Sequence, residues 1–162
     1  MGTIPETLAR DQLRSLLSEA YSGSDKPYRY FLEGTGLAEV LAHLSLVEAF
    51  TPTRQDDNTS TIAAHVSHVV FACIRFEAQL RGSEPTGRWS DSWQVVDPDQ
   101  TAWDELRSLL DRQIESLHEA FGHVPLDTPV AFGRALSVVT HLAFHMGIIR
   151  EKISDSRTHA AR

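Results

Sequence analysis

Apolar positions recur along this chain at steps of three and four, and no segment alternates apolar and polar residues in the manner of a strand. That period belongs to helices with one buried face. Four long stretches carry it. The first covers about 5–21, with Leu8, Leu13, Leu16, Leu17 and Ala20 near one side. Pro5 suits a first helical turn, Thr3 a cap, and Ser22-Gly23-Ser24 a stop. The second covers 60–81, with Thr59 or Ser60 as cap and Gly82 as terminator. The third covers 99–122, where Trp103, Leu106, Leu110, Ile114, Leu117 and Phe121 form the narrow stripe of a bundle helix. The fourth covers 131–153, with Ala135, Val139, Leu142, Met146, Ile149 and Ile153 toward the core.

Three connections separate them. Residues 22–36 read as a long loop whose aromatic residues Tyr28, Tyr30 and Phe31 are expected to pack on the domain. A short helix with Leu37, Val40, Leu41 and Leu44 on one side follows, and then a polar loop over 51–59. Residues 82–98 form the second connection and hold Trp89 and Trp93; residues 122–130 form the last. Four long amphipathic helices around one core predict an all-α four-helix bundle. The long first connection allows a crossover in place of simple up-and-down order. The expected domain is 1–153, with polar residues 154–162 as a frayed tail.

Composition narrows the function. The 162 residues suit one domain, and the 41% hydrophobic share suffices for a core without disulfides. The single cysteine, Cys73, excludes an internal disulfide and a thiolate zinc cluster, and reads as a small buried apolar group. A net charge of −7, with only Lys26 and Lys152 as lysines, disfavours nucleic acid as a partner. No run of 18 apolar residues predicts a membrane span, and Met1 to Arg10 lacks the form of a signal peptide. A reducing cytoplasm is the expected location.

The candidate chemistry lies in eight histidines. His141 and His145 stand four apart, so their imidazoles share one face of the fourth helix. His65 and His68 stand three apart near the start of the second. At about 100° per residue, His65 falls near the middle of the arc made by Ile62, Val69, Ala72 and Phe76, and His68 at its edge. Two histidines from one helix and one from another would make a three-nitrogen face with open positions, the pattern of a catalytic metal site. Each ligand must shed its proton, so binding is expected to weaken as pH falls through about 6.5. The competing reading is that inward histidines complete the core through hydrogen bonds. His43, His118, His123 and His159 read as surface or loop residues. Glu48 and Glu77 lie near apolar stretches, yet nothing pairs them into an acid/base couple.

Thr61-Ile-Ala-Ala-His65-Val-Ser-His68-Val and His141-Leu-Ala-Phe-His145-Met-Gly147 resemble the second- and fourth-helix motifs of the DinB/YfiT-like superfamily. Trp89-Ser-Asp-Ser-Trp93, followed by Trp103, looks like a bacterial subgroup of it. The resemblance implies a four-helix bundle that binds a divalent metal such as nickel or zinc through His68, His141 and His145. It makes His65 a neighbour of the ligands, whereas the helical wheel prefers His65 as the more central residue; the choice stays open. Ile148 stands where such proteins often have Gln. The superfamily includes transferases that use low-molecular-weight thiols and a maleylpyruvate isomerase branch. The implied activity is thus a metal-dependent thiol transfer to a small electrophile, or a hydrolysis. The alternative is a non-catalytic metal- or ligand-binding bundle serving in stress or interaction. Pairing through a helix face, as a homodimer, is a further implication.

Overall fold

The computed structural model describes residues 5–26, 30–31, 35–54, 57–93 and 98–160. Among these residues six α-helices follow one another: α1 Glu6–Ser22, α2 Leu37–Ala42, α3 Leu46–Phe50, α4 Ile62–Leu80, α5 Gln100–His123 and α6 Pro129–Ala160. No strand occurs among the described residues, and the chain is an all-α bundle. Its caps are local. Thr61 accepts a hydrogen bond from the Ala64 amide, and Asp99 from the Ala102 amide. Ser45 and Glu48 form a reciprocal capping box that starts α3, a helix the hydrophobic pattern does not separate from α2. Glu48 is therefore a structural carboxylate. Thr3 and Tyr28, for which capping and packing roles are expected, lie outside the described residues. Tyr30 is exposed, whereas Phe31 packs against the core.

Each of α1 and α4 packs against both α5 and α6. These pairings set α1 diagonally from α4, so the first connection is a crossover. The crossover passes close to the end of α1: Gly23 and Thr35 form a β-bridge, and a Cβ at Gly36 would lie 2.2 Å from the Tyr21 carbonyl oxygen. Only glycine fits there. Leu13, Leu17, Leu37, Leu41, Trp103, Leu110, Leu117, Phe121, Leu142 and Ile149 build one core. Leu8 departs from the expected stripe and is exposed.

The fourth long helix differs most from its expected limits. It continues through the polar stretch expected to fray, as far as Ala160. Its later turns are tied to the crossover: Arg157 pairs with Glu48 at 3.2 Å, and Lys152 donates to the Thr53 hydroxyl at 2.6 Å. Among the described helices it alone has the length and apolar composition to cross a membrane, with a mean hydropathy of 1.3. Its buried side, including Ala135, Val138, Val139, Leu142 and Ile149, belongs to the bundle core.

Candidate metal centre

α4 and α6 pack together, and their contact brings the two histidine pairs face to face. His68, His141 and His145 each offer a ring nitrogen to one point, with all three atoms within 4.8 Å of one another. The ring centroids stand 4.6 Å apart for His141–His145, 4.7 Å for His68–His145 and 5.2 Å for His68–His141. His65 is outside this group. Its Nδ1 lies 3.1 Å from His145 Nδ1, which makes it a hydrogen-bond partner of a cluster member. A wheel drawn about one axis ranks His65 first because it omits where α6 crosses α4.

Burial sets the protonation state. His145 and His68 are buried, and His141 is half-buried. Loss of water contact pushes His145 down to about 3, with His141, His68 and His65 adding repulsion. It pushes His68 down to about 4, with help from His141, and lowers His141 as well. His65 also falls to about 4, from burial first and then from the charges of Lys152 and His68. All four are neutral imidazoles at pH 7, the form that ligates a metal. Protons thus compete for His68 and His145 well below the 6.5 of an ordinary imidazole, and for His141 below it.

The aromatic residues of the second connection close the site. Trp89–Trp93 is a short 3-10 segment packed on α4. Trp93 stacks on His68 at 4.1 Å and 15°, and stands edge-on to His65 at 5.1 Å. Ser92, almost wholly buried, has its hydroxyl 2.7 Å from His68 Nδ1 and 2.6 Å from the Trp89 carbonyl. Arg75 anchors the segment from α4. It donates to the carbonyls of Thr86 and Gly87, and its guanidinium lies 5.2 Å over the Trp89 ring. Gly87 has φ +77, and a Cβ there would meet Phe71 at 2.9 Å.

The donor chemistry suits a divalent transition metal. His141 Nε2 is buried with no hydrogen-bond partner among the described residues. A buried nitrogen without a partner is costly, and a metal ion would satisfy it. His68 and His145 both use Nδ1 in hydrogen bonds, which leaves their Nε2 atoms for the same ion. Beside the cluster opens a cleft of about 660 Å³, lined among others by Arg54, His65, Trp93, Ile148 and Lys152. Ile148, at the position that departs from the family motif, is part of that wall.

The remaining chemically capable residues sit elsewhere. His43 and His123 are exposed. His118 is half-buried on α5, with Nδ1 3.2 Å from Arg14. The His159 side chain lies outside the described residues. Glu77 accepts hydrogen bonds from Gln113, Ser116 and Arg81, a network between α4 and α5. Cys73 is buried, and burial pushes its thiol up to about 12. The residue that spacing along the chain does not reveal is Ser92; its one sequence-level signal is its place between the two tryptophans.

The sequence model of the DinB superfamily matches residues 9–149. Neither a curated protein nor a solved structure gives a significant match.

Proposed function

We propose that this chain, which belongs to the DinB superfamily, holds one divalent transition metal at His68, His141 and His145 and acts with it on a small electrophile, transferring a low-molecular-weight thiol. The observation that carries the metal reading is the convergence of three neutral imidazoles within 4.8 Å, one with a buried nitrogen that has no hydrogen-bond partner among the described residues. Nickel and zinc suit such a nitrogen set. When bound, the metal supplies positive charge that lowers the pKa of a neighbouring thiol or water.

The chain's own residues do the rest. Trp93 covers one side of His68 and holds water off that imidazole. His65 bonds to His145 and also lines the cleft, so it stands between ligand and substrate. Thiol transfer is favoured over hydrolysis because no carboxylate joins the three histidines among the described residues. A thiolate, once ionised, needs no general base, whereas attack by water is normally helped by one.

Metal content after purification without chelators tests the first part. One zinc or nickel per chain is expected; no uptake of zinc, nickel, cobalt or manganese would return the histidines to the core. Consumption of a small thiol with a chlorodinitrobenzene then tests the second. Turnover only in the metal-loaded protein is expected. Metal without turnover would favour the non-catalytic binding bundle.

A further inference from the structure

We infer that Ser92 is a positioning residue that locks His68 in its Nδ1–H tautomer and so holds the Nε2 lone pair toward the three-histidine centre. This rests on the metal reading above only for its purpose; the lock itself follows from hydrogen-bond bookkeeping. The Ser92 hydroxyl touches two groups, the Trp89 carbonyl at 2.6 Å and His68 Nδ1 at 2.7 Å. It has one proton. A carbonyl oxygen can only accept, so the hydroxyl proton goes to Trp89; were it turned to His68, two oxygen lone pairs would face each other at 2.6 Å. The hydroxyl must then accept from His68, and the proton between them belongs to Nδ1. A neutral imidazole carries one proton, so Nε2 is left bare.

One contact and one burial make the lock rigid. Trp93 lies flat on the His68 ring at 4.1 Å, which opposes rotation of the imidazole. Ser92 itself is 1% exposed, so no water is at hand to replace its hydroxyl. The connection between α4 and α5 thus reaches across to α4 and fixes the direction of one candidate ligand before any metal arrives. Removing an outer partner of this kind costs a metal site about 10- to 100-fold in affinity.

The test reads the tautomer directly. Long-range proton–nitrogen correlation spectra of the metal-free wild-type protein, near pH 7, should show His68 protonated at Nδ1 and bare at Nε2. Protonation at Nε2 in that spectrum overturns the proposal without any mutation. In Ser92→Ala the fixed pattern should give way to a mixture or to the Nε2–H form, and zinc affinity by chelator competition should fall about 10- to 100-fold. Ser92→Thr, which restores the hydroxyl, should recover both. Unchanged zinc affinity and an unchanged His68 spectrum in a folded Ser92→Ala protein would overturn the lock. A wild-type protein with the Nδ1–H form that takes up no metal would leave the lock standing and sink the metal reading instead.

Discussion

Each of the clustered imidazoles is held by something different. His68 has Ser92, His145 has His65, and His141 has, among the described residues, ring contacts such as the edge-on one to Phe76 at 5.6 Å. With His145 Nε2 turned to the cluster, its Nδ1–H donates to His65 Nδ1 at 3.1 Å. The four substitutions should therefore separate into two grades. His68→Ala, His141→Ala and His145→Ala each leave two nitrogens and should abolish tight binding. His65→Ala leaves all three and should weaken zinc by about 10- to 100-fold, read by chelator competition. A loss for His65→Ala as large as for His68→Ala would place His65 among the ligands. Spacing alone exposes both histidine pairs, because residues three and four apart share a helix face. It does not choose between His65 and His68, since that depends on the crossing of α4 and α6. Ser92 is invisible for a related reason: its partner is 24 residues away on another element.

The helices owe their limits to caps and docking contacts in unequal measure. Gly82, at φ +76, follows α4, and Asp99 starts α5, in both cases from signals present in the local sequence. Asp99→Ala should cost about 1 kcal/mol, seen as a lower denaturant midpoint at unchanged slope. Zinc affinity should be unaffected, because α5 contributes none of the three histidines; a loss of affinity would show that the start of α5 is coupled to the site. The end of α6 is a different case. Its residues beyond Ile153 look polar enough to fray, and their helix is docked through Arg157 to Glu48, a residue 109 positions earlier. No window of local sequence contains that pair. α3 escapes notice for want of length: five residues cannot display a repeat, and only the Ser45–Glu48 box marks its start.

The bundle as a whole ties its fold to its protonation. Diagonal placement of α1 and α4 leaves α4 free to meet α6 along the face that carries both histidine pairs. The crossover is foreshadowed by the length of the first connection, while the pairing of α4 with α6 emerges only from three-dimensional packing. Burying four imidazoles there lowers every one of them, three to about 3 or 4, against 6.5 for an ordinary imidazole. The sign of the consequence follows from which state takes up protons. Below pH 6.5 the unfolded chain protonates these histidines more readily than the metal-free folded chain does, so stability falls as pH falls. The decline should continue to about pH 4, where His65 and His68 begin to protonate in the folded state as well. Metal binding to the folded protein should behave differently. Its ligands are already neutral at pH 7, so zinc affinity should fall gently below 6.5 as His141 takes up its proton, and steeply only near 4, where His68 follows. Zinc at 100 times its dissociation constant at a given pH should add about 2.7 kcal/mol to unfolding there. Denaturant titrations of the metal-free protein and chelator competition, both carried from pH 7 to below 4, measure the two curves. A zinc affinity that falls more than tenfold per pH unit just below 6.5 would mean that more than one of the three imidazoles is hydrated in the folded state, and that the bundle does not shield them as this packing requires.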